Sequence, residues 1–519
     1  MPDIAKADAR KIIEDILSGK IKDKVALRKA KIKLSRESSL SGIISNSKIF
    51  EHAAKDEKSR LGLLVRKPVR TISGVAVVAV MCRPGKCPGK CIYCPDFSGA
   101  PRSYTGKEPA AMRAQRMDHD PYRQVEHRLM QLGEIGHKTS KVELIIMGGT
   151  FPSLDWAYQE EFVKRCFDAM NGSDSLDLKA AQELNESSLH RCVGLTIETR
   201  PDFSKRDQID RFLELGATRV ELGVQTTSDD VYRKANRGHT VDDVIEATRL
   251  LKDSGFKVCY HYMPGLFVDT EKDIKLFSRL FSDSDFRPDM LKIYPTLIIK
   301  GTKLYDMWKK GEYKPYSNSE AIEAIARMKS FVPEYVRIMR VQRDIPAYNI
   351  ESGSNLGNLR EEVEKKCLEL GISCKCIRCR EAGHKLYKKK ISSENPEMSV
   401  LKYEASGGVE FFISMEDKKN DVLSGYVRMR YPSGSFRSEI DKDSALIREL
   451  KVVGVTVPVG EKGEGLQHKG LGGELMSKAE EIARSDGKKK IVVISAVGTR
   501  KYYEKLGYVR DGPYMSKRV

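Results

Sequence analysis

The chain has 519 residues, 40% hydrophobic and 32% charged, with a formal net charge of +18. That balance excludes a disordered chain, and the length allows two to four domains, each with its own core. The longest apolar run, SGVAVVAVM, is too short to span a bilayer, and the N-terminus lacks an apolar signal core; a cytoplasmic protein without membrane contact is expected.

Residues 1–72 read as basic helical segments. Within them, residues 20–36 carry eight bases (Lys20, Lys22, Lys24, Arg28, Lys29, Lys31, Lys33 and Arg36) against one acid. So one-sided a face suits a polyanion, because bases that neutralise phosphates release counterions. The stretch lacks the bulky aromatics of a membrane-surface helix, so nucleic acid is the favoured partner.

From 73 to 346, short apolar runs alternate with helix-period stretches. The runs are GVAVVAVM, VELIIM, VGLTIE, TRVELGVQ, FKVCYHYM and DMLKIY. This pattern predicts an α/β fold with a parallel sheet and helical crossovers. Six such units make either a doubly wound sheet or a partial (βα)6 barrel, and periodicity does not choose between them. Residues 347–395 form a linker with a second cysteine cluster. Residues 396–519 read as a separate α/β domain: antiparallel-looking strands, a glycine-rich turn, a helix, then a final strand and helix.

The first cluster, MCRPGKCPGKCIYCPD, spaces Cys87, Cys91 and Cys94 as C-x3-C-x2-C, with Cys82 nearby. Reducing surroundings argue against disulfides. Zinc usually takes four ligands in separated pairs, and Cys82 could close such a site. Three closely wound cysteines can instead hold three irons of a [4Fe–4S] cluster, leaving one iron open to S-adenosylmethionine. One βα unit later, Gly148, Gly149 and Thr150 end a strand, where glycines let a ligand approach backbone carbonyls in the manner of the radical S-adenosylmethionine superfamily.

In the second cluster, Cys374, Cys376, Cys379 and His384 lie within eleven residues and make a closed tetrahedral zinc set, hence a structural one. Near the C-terminus, Gln467, Gly470 and Gly472 form Q-x-x-G-x-G before a helix whose exposed N–H groups suit a pyrophosphate. With GTRKYYEKLGY further on, this resembles the acetyl-CoA motifs of GNAT acetyltransferases. In that superfamily the second aromatic position, here Tyr503, protonates the leaving thiolate; of Tyr502 and Tyr503, one is expected in the core.

The radical and acetyltransferase motifs together, with SYTGKEPAAMRAQR, GLTIETRPD, RVELGVQTT, LKIYPTLIIKGTKLY and RVQRDIP, resemble the catalytic subunit of Elongator from about residue 60 to the end. The resemblance implies a radical S-adenosylmethionine partial barrel joined through a zinc motif to a GNAT domain. It implies a cluster on Cys87, Cys91 and Cys94, with acetyl-CoA contacts on Lys141, on Glu449, Leu450, Lys451 and Val452, on Leu471, Gly472 and Gly473, and on Tyr503. If Lys141 touches acetyl-CoA, the two active sites share one cleft. The implied reaction takes hydrogen from the acetyl methyl, adds the carbon to C5 of uridine 34 in the tRNA anticodon stem-loop, and hydrolyses the thioester. Implied partners are tRNA, an electron donor, and a second copy or Elongator-type subunits.

Two other classes stay open on the residues alone. One is a protein lysine acetyltransferase with a structural cluster; the other is a tRNA-binding scaffold without catalysis.

Overall fold

The computed structural model describes residues 6–37, 42–54, 56–65, 71–454 and 470–519. Helices Lys6–Leu17, Lys24–Glu37 and Asn46–Glu51 share a small core of their own, including Ile12, Ile13, Ile16, Leu27, Leu34, Ile49 and Phe50. The apolar stripe turns inward, which leaves the basic side of Lys24–Glu37 facing solvent.

Seven parallel strands follow: β1 (Ala76–Met81), β2 (Lys141–Met147), β3 (Arg191–Thr199), β4 (Arg219–Gln225), β5 (Lys257–Tyr262), β6 (Met290–Ile293) and β7 (Arg337–Arg340). They pair in strict chain order from β1 to β7. A doubly wound sheet reverses direction at a switch point, whereas sequential order is that of an open barrel. The six anticipated strands are all present. The seventh, RIMR, has only two apolar residues and carried too little pattern to stand out.

Outward-facing residues such as Val142, Leu144, Ile146, Val220 and Leu222 are fully buried in the main core, beneath helices such as Trp156–Asn171 and Val241–Asp253. The latter starts with a reciprocal cap in which Thr240 accepts from the Asp243 amide and the Asp243 side chain accepts from that of Thr240.

The second sheet contains β8 (Glu397–Ala405), β9 (Gly408–Asp417), β10 (Val422–Tyr431), β11 (Ser444–Val452), β12 (Lys490–Val493), β13 (Val509–Asp511) and β14 (Tyr514–Arg518), in the order β13-β14-β12-β11-β10-β9-β8. All neighbours are antiparallel except β11 and β12. The chain ends in the hairpin β13–β14 rather than in a helix. The period of two divides the sheet's faces. Phe411, Ile413, Val427, Met429, Ala445 and Ile447 pack on helix Leu471–Ser485, while Phe412, Tyr426 and Leu446 join the barrel's core.

Between the sheets lies a buried ionic network. Arg448 of β11 donates to Asp289 (2.6 and 2.8 Å) and to Glu410 (2.9 Å); Arg430 of β10 donates to Asp253 (2.8 Å) and Glu410 (3.0 Å). Such pairs contribute geometry more than stability, because desolvation offsets most of the Coulombic gain. They fix one orientation of the second sheet against the foot of the barrel. Among the described residues, no helix is long and apolar enough to cross a membrane.

Candidate active site

The loop after β1 brings Cys87, Cys91 and Cys94 to one cavity at the C-terminal mouth of the barrel, with Gly149, Thr150, Arg200, Arg237, His261 and Lys292 among its lining. Arg237 donates to Cys91 Sγ at 3.2 Å, and Thr150 Oγ1 lies 3.5 Å from Cys87 Sγ. A hydrogen bond from the Cys94 thiol, opposed by burial and aided by Arg237, pulls Cys91 down to about 4. Arg200 Nη1 and Arg237 Nε are buried there without a partner, and a Cβ on Gly89 would fall 2.1 Å from Arg200 Nη1. Three thiols facing unpaired cationic N–H groups fit an anionic iron–sulfur cluster.

Cys82 stands apart. Burial pushes its thiol up to about 12, and Sγ donates to the Gly148 carbonyl at 3.3 Å. Gly148 (φ 125°) has no room for a side chain, since a Cβ would sit 2.5 Å from that sulfur. Gly148 therefore holds Cys82, and Gly149 and Thr150 reach the cavity.

A second cleft, of about 710 Å³, opens at the opposite, N-terminal mouth, where the barrel meets the second sheet. Its lining holds Lys141, the run Glu449, Leu450, Lys451 and Val452, the turn Gly470, Leu471, Gly472 and Gly473, and both Tyr502 and Tyr503. Gln467 lies outside the described residues. Gly470 (φ 79°) precedes helix Leu471–Ser485, which starts without a side-chain cap, so its first amides face the cleft. A Cβ on Gly472 would lie 2.7 Å from the Tyr502 hydroxyl. Tyr503 belongs to the second sheet's core as well as to the cleft wall, and burial raises its pKa. Burial and Arg191 lower that of Lys141. Cationic Lys141, Arg191, Lys257, Lys451, Lys501 and Lys505 around free helix amides fit the phosphates of acetyl-CoA.

Lys141 thus reaches the second cleft, but the two sites do not share it. Lys141 begins β2 and Gly149 follows its end; at about 3.3 Å per residue the mouths are ~20 Å apart. Between them the lumen carries charges that the apolar strand pattern concealed. Lys292 pairs with Glu198 (2.9 Å) and with Glu221, His261 Nε2 meets Glu221 at 2.8 Å, and Tyr104 donates to Glu198 at 3.0 Å. The available signal was a charge at alternate positions inside VELIIM, RVELGVQ and MLKI, on the face a parallel barrel turns inward.

In the linker, the sulfurs of Cys374, Cys376 and Cys379 lie within 4.8 Å of one another. His384 does not join them: its helix, Ala382–Lys389, turns the ring toward Glu381, Nε2–Oε2 3.6 Å. Among the described residues no fourth His, Cys, Asp or Glu completes the set. Of the N-terminal bases, Lys20, Lys22, Lys24, Arg28, Lys29, Lys33 and Arg36 are exposed, while Lys31 is half-buried and donates to Asn46 at 2.7 Å.

Comparison with known proteins matches these parts. Residues 82–281 match the radical SAM superfamily, 288–369 the radical SAM C-terminal domain, 6–72 the ELP3 N-terminal domain and 463–518 the acetyltransferase (GNAT) domain. A tRNA uridine(34) acetyltransferase of Methanocaldococcus jannaschii is 51% identical over 98% of this chain and 96% of its own. Human Elongator complex protein 3 is 45% identical over 98% of this chain and 94% of its own. The solved structure of Methanocaldococcus infernus Elp3 with an N-terminal deletion superposes with a TM-score of 0.78 at 48% identity, covering 86% of this chain and all of that one.

Proposed function

The chain belongs to the family of tRNA uridine(34) acetyltransferases and Elongator complex protein 3, and we propose that it attaches a two-carbon unit from acetyl-CoA to C5 of the wobble uridine of tRNA. The observation that carries this reading is the wall of the acetyl-CoA cleft: Lys141, Arg191 and Arg219 of the barrel face Glu449 and Tyr503 of the acetyltransferase domain. An acetyltransferase acting on lysines needs no radical barrel as one side of its site.

Cys87, Cys91 and Cys94 would hold a [4Fe–4S] cluster, which with S-adenosylmethionine supplies the one-electron chemistry that activates the acetyl methyl C–H bond. Arg237 anchors Cys91, and Thr150 orients Cys87. Burial alone would raise the Glu449 carboxyl, but Arg428, Lys257 and Lys451 hold it below its ordinary value, so it stays an anion in the cleft wall. The amides of Leu471 and Gly472 receive phosphate oxygens. Burial keeps the Tyr503 phenol protonated at neutral pH, and in the cleft wall it donates a hydrogen bond to the thioester sulfur as the thiol departs. The exposed bases of the N-terminal helices take the tRNA backbone, and the electron the cluster needs would come from an external reductant. The three converging linker thiols support a zinc site whose fourth ligand is not His384.

The test is mass spectrometry of digested tRNA after anaerobic incubation with reconstituted protein, S-adenosylmethionine, reductant and isotope-labelled acetyl-CoA. Label on a carboxymethylated uridine, lost when Cys87, Cys91 and Cys94 are changed to Ala, is expected. Label on protein lysines alone, equal in both proteins, would make the chain a lysine acetyltransferase.

A further inference from the structure

The two cavities are the ends of one lumen, closed by a single layer of side chains. On β3, Thr196 lines the acetyl-CoA cleft and Glu198 the cysteine cavity. They are two residues apart on one face, about 7 Å. On β4 the same alternation runs Arg219, Glu221, Gly223, and on β5 Lys257, Cys259, His261; the first of each lines the lower cleft and the last the upper cavity. Glu221 and Cys259, paired in register and both fully buried, line neither. They are the partition.

The partition is polar where a filled barrel uses branched aliphatics. It is also unsatisfied. Arg219 pairs with Glu143 through Nη1, and its Nε forms an ion pair with Glu221 Oε1 at 3.3 Å without the alignment of a hydrogen bond; Arg219 Nε, Arg219 Nη2 and Glu221 Oε1 are buried with no hydrogen bond. Arg219 is 4% exposed and Glu221 fully buried. Buried donors and acceptors without partners cost free energy and mark a place for a water or ligand. The proposed reaction needs the acetyl methyl beside a radical generated at the far mouth, while the barrel's outer face is covered by packed helices.

Resting on that reading of function, we propose that the acyl end of acetyl-CoA reaches the cysteine cavity through the barrel lumen. Arg219 receives the thioester carbonyl with its unmatched N–H groups, and the Glu221–Cys259 layer is the gate it passes.

The test has two arms. The first treats the unmutated chain with bromoacetyl-CoA and maps adducts by mass spectrometry. A threading acyl end alkylates Cys259, forming its S–C bond as bromide leaves and the thiol proton passes to the carboxylate of Glu221, its neighbour in register, and excess acetyl-CoA suppresses the adduct. Alkylation confined to exposed thiols overturns the proposal. The second arm compares Cys259→Phe, which fills the layer, with Cys259→Ala, which does not. Cys259→Phe is expected to keep acetyl-CoA affinity and 5′-deoxyadenosine release while labelled uridine falls at least about tenfold below that of Cys259→Ala, which leaves the layer open. Labelled uridine at the Cys259→Ala level in a folded Cys259→Phe protein means the acyl group travels outside the barrel, and the proposal fails. Should Cys259→Phe not fold, the adduct arm decides alone. A wild-type protein that makes neither 5′-deoxyadenosine nor labelled uridine defeats the proposed function instead, and the adduct arm needs neither reaction.

Discussion

Arg448 of the acetyltransferase sheet grips Asp289 at the foot of the barrel through two hydrogen bonds, Nη1–Oδ2 2.8 Å and Nη2–Oδ1 2.6 Å, with both side chains fully buried. Asp289 also accepts the backbone N–H of Val258 at 2.8 Å, so the contact joins β5, the start of β6 and β11. Asp289→Asn leaves Arg448 and Arg428 facing a neutral group in a dry interface. We expect a loss of about 3–5 kcal/mol of stability, read by denaturant unfolding. Arg448→Met combined with Asp289→Leu should recover only the part of that loss owed to Arg448, since Arg428, Glu410 and the Val258 N–H still lose a partner.

A second expectation concerns pH. Burial pushes the Asp273 carboxyl up to about 6, against hydrogen bonds from Gly265, Tyr262 and Tyr316. A carboxyl whose folded pKa exceeds its unfolded value of about 3.9 stabilises the fold most below that unfolded value, and the contribution is lost as pH rises to about 6. Its size is about 3 kcal/mol. Asp273→Asn should therefore cost more stability at pH 4.5 than at pH 7, whatever constant penalty the swap carries. Equal costs at both values would show that Asp273 does not titrate in this window.

The linker thiols predict one zinc per chain, independent of the iron content. Cys376→Ser should abolish it, measured by elemental analysis, while the absorbance of the reconstituted cluster persists. His384→Ala should retain zinc, because the ring faces Glu381 rather than the sulfurs.

For tRNA the prediction is a salt slope. Lys22, Lys24, Arg28 and Lys29 are exposed on or beside one helix. Changing all four to Ala should weaken binding and flatten the plot of log K against log salt by about three units, if each base meets a phosphate. An unchanged slope would move the tRNA interface elsewhere on the chain.

Much of this protein was legible before folding was considered. Strand–helix alternation, the C-x3-C-x2-C spacing, the glycine turn and the three linker cysteines are local features: a few residues of backbone decide them, and the structure keeps each one. Periods of two and 3.6 place apolar faces whatever the partner, and that is why the six main strands of the barrel were visible.

Tertiary structure alone decided the rest. Strict strand order made the sheet a barrel. Register and side-chain alternation then put Arg219, Glu221 and Lys292 inside it, where an apolar strand pattern hides them. Helix direction removed His384 from the thiols, and burial under Gly148 removed Cys82 from the cluster. Lys141 reads as a solvated lysine until the second sheet closes over the barrel's N-terminal mouth; even then, the length of β2 keeps it ~20 Å from the opposite mouth. Spacing along a chain specifies chemistry within a loop, whereas the distance between two sites depends on strand length, register and the packing of one sheet against another.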